Sequence, residues 1–266
     1  MKIDFKETNT DLQNRIDIHN QFGAKDIDAW MLHTLQLRPG LKILDLACGA
    51  GKQCTSFDKA LNGQCEILGT DVSETLLAQA REDSKDAASP IDYRWMDFNQ
   101  AFELPSNSFD LVSCCFAIYY AQDIPFTLSE IHRVLKPGGR LFTTGPMPTN
   151  KQVFYEIIKE ATGKPIPPMP GSSRYSSQIY GTMQSLFQST QQHIFENPLK
   201  FTSVEPYMVY TRASMSEDRK LWNAFFNTHA EFENVMAKIQ KVAEKRLQNQ
   251  GQIVMTKVVG GFIATK

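Results

Sequence analysis

Two glycines that interrupt an apolar run, and an acid that follows them, have the types and spacing to bind a nucleoside. The run ends at Leu46, and Gly49 and Gly51 follow it. Asp71 closes the next apolar stretch about twenty residues later. Glycines let the backbone approach a ligand closely, and an acid at the end of a strand can accept both hydroxyl protons of a ribose. The pattern therefore predicts a site for a nucleoside-bearing cofactor.

The two common phosphate-binding loops do not fit this stretch. A dinucleotide loop needs a third glycine three residues after Gly51, where the chain has Cys54. A P-loop needs Ser or Thr after its lysine, and here Lys52 is followed by Gln53 with a different glycine spacing. The cofactor is thus expected to be held without a phosphate loop.

The stretch resembles the first motif of class I S-adenosylmethionine-dependent methyltransferases with a type 11 or type 25 methyltransferase domain, which reads roughly D/E-x-G-x-G-x-G. Asp45, Gly49 and Gly51 match it, while Ala47 stands where the first glycine usually falls. Alanine adds one methyl group, which weakens the motif slightly without redirecting it. The resemblance implies S-adenosyl-L-methionine as the cofactor and methyl transfer as the reaction.

The resemblance also implies roles for the residues that follow the first three strands. Asp71 would hold the ribose hydroxyls, and Val72 would pack on the adenine. Asp97 would accept from the exocyclic amine of the adenine, and the backbone N–H of Phe98 would reach a ring nitrogen. The alternative for either acid is an ordinary turn or helix-capping residue.

The methionine part of the cofactor would lie over Gly49 and Gly51. Asp45, and Ala47 beside it, complete this turn, and Asp45 would serve the ammonium directly or through water. Its alternative role is to satisfy the N–H groups of the glycine turn. Lys52 and Gln53 are weaker candidates for the carboxylate end.

Candidates for contact with the methyl acceptor follow the predicted fourth strand. Phe116 leaves this strand where related enzymes touch donor and acceptor, so its ring can shield the sulfonium. Tyr119 or Tyr120 either hydrogen-bonds the acceptor or only packs. His193, predicted to lie in a lid helix, is a candidate general base, although a lone histidine is more often an ordinary helix residue.

No catalytic metal is expected. The metal-dependent O-methyltransferases of this fold use acids after strands four and five, and this chain has other residue types there: Cys114, Cys115, Phe116, Gly145 and Pro146. The signature [DNS]-P-P-[YFW] of amino-methyltransferases is also absent after strand four, which disfavours methylation of a nucleobase amino group by that route.

The elements that must position these residues alternate between strand and helix. Strands are predicted over 41–46, 66–71, 91–96, 109–116 and 140–144, with helices between them, which predicts a doubly wound parallel sheet. The Lys-Pro-Gly-Gly run at 136–139 stops the last of these helices. Two further strands are predicted at 200–210 and 252–265.

The resemblance then implies a seven-stranded, mainly parallel, Rossmann-like sheet of order 3-2-1-4-5-7-6 with helical lid insertions. We expect one methyltransferase domain over 1–266. The predicted cofactor-binding core comprises 25–146, 200–210 and 252–266. The predicted lid insertions are 147–199 and 211–251. The loop predicted over 163–177 is rich in Pro, Gly and Ser.

Composition sets broad limits on the partners. The net charge is −1, from 28 basic and 29 acidic residues, so no overall field favours nucleic acid or an anionic membrane. Five cysteines show no metal spacing and are expected to be reduced. No run is long enough to span a membrane, and residues 1–7 lack a hydrophobic signal segment, so a cytoplasmic protein is expected.

The leading hypothesis is a methyltransferase that moves the methyl group by direct in-line displacement to an O, N or C atom of a small, apolar or aromatic metabolite. One alternative keeps the chemistry but makes tRNA or another RNA the acceptor, docked on a basic helix face formed by Lys238, Lys241, Lys245 and Arg246. Another alternative is a cofactor-binding protein without turnover. A monomer or homodimer is expected.

Overall fold

Seven strands form one sheet in the computed structural model of the protein, which describes residues 9–167, 169–215 and 218–266. The strands are β1 (Leu41–Leu46), β2 (Cys65–Asp71), β3 (Ile91–Trp95), β4 (Phe109–Cys115), β5 (Leu135–Pro146), β6 (Ser189–Phe201) and β7 (Ile253–Thr265). Their order is β3-β2-β1-β4-β5-β7-β6. β1 to β5 pair in parallel, and β7 runs antiparallel to β5. The predicted fold class and strand order are confirmed.

Helices connect these strands. They are α1 (Asn9–Phe22), α2 (Ile27–Leu35), α3 (Lys52–Ala60), α4 (Glu74–Asp83), α5 (Ile124–Val134), α6 (Gln152–Thr162), α7 (Pro170–Ser173), α8 (Tyr180–Leu186), α9 (Val204–Ala213), α10 (Arg219–Trp222) and α11 (His229–Gln250). A short 3-10 helix, η1 (Ile118–Tyr120), follows β4, and a π-helix (Arg174–Ile179) joins α7 to α8.

Successive side chains of the central strands pack in two separate hydrophobic clusters, one on each face of the sheet. Ile43 on β1 packs in one apolar cluster together with α2 and α3, while its neighbour Leu44 packs in another together with α5 and α8. Because successive side chains of a strand point to opposite faces, helices cover both faces of the sheet. This two-sided cover leaves the strand ends as the place where a ligand can reach the backbone.

Capping residues fix where several helices begin. The Ser73 hydroxyl accepts from the backbone N–H of Leu76 at the start of α4. Thr228 and Glu231 form a reciprocal capping box at the start of α11, and Gly251 ends this helix with φ +74°. These local signals explain why helix starts are readable from the sequence.

Two of the sequence predictions are wrong. The sixth strand is Ser189–Phe201, whereas most of the predicted strand at 200–210 lies in α9. The predicted loop at 163–177 contains α7 and the start of the π-helix. In α9, buried side chains recur with the helical period at Tyr207, Tyr210 and Thr211. Aromatic and β-branched residues favoured a strand there, and tertiary packing overrode this preference.

The chain divides into two compact units. The sheet unit comprises Ile27–Pro148, Gly171–Phe195 and Val259–Lys266. The helical unit comprises the described residues of Met1–Asp26, Thr149–Pro170 and Glu196–Val258. Residues 171–195, predicted as part of a lid insertion, thus belong to the sheet unit. The expectation of one domain with two lid insertions stays a prediction.

The helical unit has its own aromatic core. Trp222, Phe154 and Tyr207 are fully buried in it. This core also holds an ion pair, in which Lys151 Nζ lies 2.7 Å from Asp218 Oδ2 and both side chains are buried. Among the residues that the structure describes, no helix is both long and apolar enough to cross a membrane. The expectation about residues 1–7 falls outside the described part of the chain.

Candidate active site

The turn after β1 takes a left-handed backbone at three alternate residues. Ala47, Gly49 and Gly51 have φ of +54°, +56° and +78°. A Cβ on Gly49 would meet no atom within 4 Å, whereas one on Gly51 would lie 2.5 Å from the Tyr93 hydroxyl. Gly51 is therefore required by packing against the protein. Gly49 instead leaves open space beside the backbone, which is where a ligand can approach.

Ala47 carries the conformation for which glycine is normally used. A non-glycine residue in the left-handed region costs about 1–2 kcal/mol. The sequence interpretation counted only the extra methyl group, so it understated the departure from the motif. The turn is held by bonds to its neighbours, since Cys48 N donates to Thr70 O at 2.9 Å.

Asp71 joins the end of β2 to the glycine turn. Its carboxylate accepts from the backbone N–H of Gly49 at 3.0 Å and from that of Ser73 at 2.9 Å. Each carboxylate oxygen has room for a further hydrogen bond. The side chain thus both organises the turn and keeps acceptor capacity beside the open space at Gly49.

Two apolar side chains stand exposed beside Asp71. Val72 is 57% exposed and Trp95, at the end of β3, is 52% exposed. The Trp95 indole N–H donates to Val72 O at 3.0 Å, which fixes one against the other. Neighbouring exposed apolar side chains at a strand edge are typical of a binding surface. Sequence reasoning missed Trp95 as a site residue, although its large apolar ring at a strand end was a usable signal.

The end of β3 carries Asp97 and Phe98, as the sequence predicts. Asp97 Oδ1 accepts from both the backbone and the side-chain amide of Asn99 at 2.9 Å. Asn99 Oδ1 in turn accepts from Gln122 N at 2.8 Å, beyond β4. Phe98 is partly buried against the core cluster that includes α5. Asn99, which the sequence did not single out, therefore ties this edge to the segment after β4.

Asp45 lies deeper than the other predicted site residues. It is 2% exposed, and its carboxyl group accepts from Cys54 Sγ at 3.4 Å. Burial raises the pKa of Asp45 to about 7, against opposing hydrogen bonds from Ser113 and Cys54. Burial also raises the pKa of the nearby Cys115 thiol to about 12, so this thiol is neutral and not a nucleophile.

The first turn of α3 offers unused hydrogen-bond donors. Its N-cap residue is Gly51, which has no side chain to cap the helix. The side-chain nitrogen Nε2 of Gln53 is buried and has no hydrogen-bond partner among the residues that the structure describes. Free N–H groups and the positive end of the helix dipole favour an anion. Lys52 Nζ, by contrast, pairs with Asp28 at 2.7 Å.

The chain leaves β4 through a second non-glycine residue with a left-handed backbone. Phe116 has φ +56°, its N–H donates to Thr144 O at 3.0 Å, and its side chain is 39% exposed. In η1, Tyr120 is 70% exposed, while Tyr119 packs edge-on against Tyr175 with ring centroids 6.3 Å apart. Phe116 and Tyr120 are thus exposed aromatic side chains directly after β4.

His193 lies in β6, so its predicted placement in a lid helix is wrong. Its Nε2 atom is buried without a partner. The sheet order puts three strand spacings, ~14 Å, between β6 and β4. Its role as a base is untested and stays a prediction.

Among the described residues, no group of three or more His, Cys, Asp or Glu side chains is placed to hold a metal ion. The absence of a catalytic metal stays a prediction as well.

A nucleoside with an amino-acid tail fits these residues. The open space at Gly49 leaves room for the ligand beside the backbone, and the Asp71 carboxylate lies next to it. Asp97 follows β3, the neighbouring strand of β2, at the same edge of the sheet. Val72 and Trp95 supply apolar surface for a flat base. The unpartnered Gln53 amide and the uncapped start of α3 suit a carboxylate. The sheet order β3-β2-β1-β4-β5-β7-β6 is that of the class I methyltransferase fold.

Comparison with known proteins agrees with this assignment. Residues 44–143 match the methyltransferase-domain family. The chain is 26% identical, over 180 residues, to a ubiquinone/menaquinone biosynthesis C-methyltransferase of Shewanella sp., covering 66% of this chain and 70% of that protein. It is 44% identical to the demethylmenaquinone methyltransferase of Symbiobacterium thermophilum over 107 residues, which are 39% of this chain and 41% of that protein.

Solved structures share the fold. A SAM-dependent methyltransferase from Aquifex aeolicus is 19% identical with a TM-score of 0.51, covering 72% of this chain and 91% of that one. A Haemonchus contortus phosphoethanolamine N-methyltransferase, in complex with S-adenosylmethionine, is 19% identical with a TM-score of 0.53, covering 97% of this chain and 57% of that one. The protein is an S-adenosylmethionine-dependent methyltransferase.

Proposed function

We propose that the protein methylates a small, apolar or aromatic molecule at the carboxyl edge of its sheet, by direct in-line displacement. The observation that carries this proposal is the pair of exposed aromatic rings after β4, Phe116 and Tyr120. They follow the central strand, beside the turn that would hold the cofactor. The relatives are named for ubiquinone/menaquinone biosynthesis and for demethylmenaquinone, and a quinone ring is flat and apolar.

Each cofactor-facing residue has a proposed role. Asp71 accepts from the ribose hydroxyls, and Val72 packs on the adenine. Asp97 and the N–H of Phe98 bind the edge of the adenine. Support for these roles comes from the exposure of Val72 and the spare acceptor capacity of Asp71.

The turn residues would hold the amino-acid tail. Gly49 leaves space for it, and Gln53 and the first turn of α3 donate to its carboxylate. The burial of Asp45 favours contact with the ammonium through water rather than directly.

The chemistry needs little acid–base machinery. The bound cofactor supplies a methyl group on a sulfonium, which is already electrophilic. The work left to the protein is to align the acceptor and exclude water. Phe116 shields the positive charge with its ring, and Tyr120 or Tyr119 bounds the acceptor slot. Whether the acceptor atom is O, N or C decides whether a base is needed.

The alternative acceptor, RNA, has weaker support. The basic face proposed for it on α11 includes Arg246, which pairs with Glu160 at 3.0 Å and lies 3.7 Å from Glu156. A face partly neutralised in this way attracts phosphates less. We further propose a cytoplasmic monomer or homodimer, which size-exclusion chromatography with light scattering can test for its oligomeric state.

Titration of the protein with S-adenosylhomocysteine tests the cofactor assignment. Asp71→Asn should weaken binding about 10- to 100-fold, because two hydrogen bonds to a charged acceptor are lost or reduced. Asp92→Asn is the matched control, since Asp92 is an exposed acid on the neighbouring strand. Equal affinity of wild type and Asp71→Asn would contradict the assignment.

The acceptor class needs a separate measurement. Transfer of labelled methyl groups should be measured over a panel of hydroquinones, phenols, amines and bulk tRNA. We expect label in small aromatic molecules and none in tRNA. Label in tRNA, with steep salt dependence, would replace the proposed acceptor by RNA.

A further inference from the structure

Arg174 brings a positive charge to the edge of the sheet where the acceptor would bind. It begins the π-helix Arg174–Ile179, in the part of the sheet unit between β5 and β6. Its guanidinium donates to the backbone carbonyl of Ala121, the residue directly after η1. The charge therefore lies at the end of the short helix that carries Tyr120.

The backbone that carries Arg174 is firmly anchored by the next residue. The Tyr175 hydroxyl lies 2.8 Å from Thr143 O and 3.1 Å from Gly260 O, to which it donates. Its ring stacks on Phe262 with centroids 4.4 Å apart and an interplanar angle of 5°. The contacts of Tyr175 thus fix the backbone position of Arg174 relative to the sheet.

The guanidinium of Arg174 has donor capacity to spare. Within the part of the chain that the structure describes, its hydrogen bond to Ala121 is its polar contact, and its Nε atom is buried without a partner. A guanidinium has five donors. The side chain is partly exposed, so a ligand in solution can reach it. No carboxylate neutralises it among the described residues.

A purely structural arginine in the same unit looks different. The Arg133 guanidinium bonds to both carboxylate oxygens of Glu130 and to the carbonyls of Phe102 and Leu104. Its charge is neutralised and its donors are used. Among the described residues, the Arg174 guanidinium bonds to one carbonyl oxygen and pairs with no carboxylate. Such a guanidinium can still bind an anionic ligand.

We propose that Arg174 is a specificity-determining residue that binds an oxyanion of the methyl acceptor. The acceptor class is then a flat apolar molecule with a carboxylate, phosphate or ionised hydroxyl. Its body would lie against Phe116 and Tyr120, and the guanidinium would orient the reacting atom toward the methyl group. This inference rests on the proposed function, because it takes that edge as the acceptor slot.

Small probes can test this inference without knowledge of the natural acceptor. The protein, saturated with S-adenosylhomocysteine, should be titrated with benzoate, benzamide and inorganic phosphate. The readout is the arginine Nε–H resonances in ¹⁵N-labelled protein. The Arg174 resonance is assigned by its absence in Arg174→Lys. Benzoate and benzamide share a ring and differ in charge, while phosphate tests an oxyanion without a ring.

We expect benzoate to shift the Arg174 resonance with a Kd of about 1–10 mM, as its few heavy atoms allow. Benzamide should bind at least about 10-fold more weakly, since it lacks the charge. Neither variant of Arg174 has this resonance, so benzoate binding is compared between them and wild type by the backbone amide shifts of Phe116 and Tyr120. Arg174→Gln should lose benzoate binding, and Arg174→Lys should keep part of it. Arg94→Gln, an exposed arginine on β3 that pairs with Asp92, is the matched control and should bind benzoate normally.

Several outcomes would overturn the inference. One is equal binding of benzoate and benzamide, or an Arg174 resonance that neither anion moves. Another is weaker S-adenosylhomocysteine binding by Arg174→Gln, which would assign the residue to the cofactor. If Arg174→Gln does not fold, Arg174→Lys and the wild-type titrations still decide. Failure of wild type to bind S-adenosylhomocysteine would instead count against the proposed function.

Discussion

At the scale of single residues, the site depends on where the backbone leaves ordinary conformations. Ala47, Gly49 and Phe116 all have positive φ, and all lie at the carboxyl ends of β1 and β4. Strained backbone persists where the surrounding structure fixes it, and it is common at active sites. Both turns follow neighbouring strands, and among the described residues no atom lies within 4 Å of a Cβ placed on Gly49.

The two glycines of the turn should respond differently to alanine. Gly49→Ala adds a methyl group in open space, so we expect a loss of about 1–2 kcal/mol in stability from the positive φ alone. Its S-adenosylhomocysteine affinity should fall by about 10-fold or more, because the methyl group occupies the ligand's place. Gly51→Ala should lose more stability, since its Cβ would collide with Tyr93.

Denaturant unfolding and calorimetric titration separate these two effects. Unchanged cofactor affinity in Gly49→Ala would show that the open space is not part of the site. Gly163→Ala is a control for the backbone effect alone, because Gly163 has φ +68° and open surroundings in the helical unit.

Asp45 predicts a pH dependence of stability. Burial raises its pKa from 3.8 to about 7, so the folded protein holds this proton more tightly than the unfolded chain does. The stabilising contribution is therefore complete below pH ~4, is lost as the pH rises to about 7, and changes little above it. Its size is of the order of 4 kcal/mol.

The Asp45→Asn variant isolates this contribution. Because the variant cannot ionise, its stability relative to wild type should increase between pH 5 and pH 8, as measured by urea unfolding at each pH. Asp92→Asn, at an exposed acid, should follow the wild-type curve. A constant difference between Asp45→Asn and wild type would show that Asp45 titrates normally.

At the scale of elements, Tyr175 attaches the π-helix between β5 and β6 to the sheet. Tyr175 fills the space above Gly145, where an added Cβ would lie 2.6 Å from its ring. Its hydroxyl reaches carbonyls on both β5 and β7. The absence of a side chain at Gly145 therefore lets the π-helix pack directly on the sheet.

Removal of this hydroxyl should weaken that attachment. Tyr175→Phe removes the buried hydrogen bonds of this hydroxyl and should cost about 1–2 kcal/mol of stability. Tyr180→Phe is the matched control, because Tyr180 also packs on Phe262 but its hydroxyl bonds to no described residue. Thermal and urea unfolding measure both. Equal stability of the two variants would show that the Tyr175 hydroxyl contributes nothing.

At the scale of the whole molecule, both units are built from separated stretches of chain. The sheet unit is closed by its last residues, 259–266, so its core needs the chain on both sides of the helical unit. The residues proposed for the cofactor and the acceptor oxyanion all lie within the sheet unit. We therefore expect a bound ligand to protect backbone amides most strongly at the carboxyl edge of the sheet.

Hydrogen exchange can locate that change. S-Adenosylhomocysteine should slow exchange of amides at Gly49, in the first turn of α3 and at Phe98, which are not closed by helix hydrogen bonds. Amides in the middle of α11 are the internal control, because they are bonded within the helix. Equal slowing in α11 and at the sheet edge would indicate general stabilisation rather than a local site.

The glycine turn, the capped helices and the first five strands were readable from the sequence because each depends on neighbouring residues. Apolar runs, Ser73 and the stop at 136–139 act locally, so the cofactor-facing acids could be placed at one edge. β6 could not be read in this way. As an edge strand it mixes polar and apolar residues, while α9 carries residues that favour strands.

The sequence by itself thus determined the class of fold and the residues proposed to face the donor, since parallel strands bring their carboxyl ends together whatever surrounds them. Only the tertiary structure showed that Arg174 lies beside Ala121, that His193 lies in a strand and not in a helix, and that Asp45 is buried. Those three depend on contacts between residues far apart in the chain, which no local pattern encodes. For the same reason, the residues proposed to select the acceptor emerged from the folded sheet unit and not from a motif.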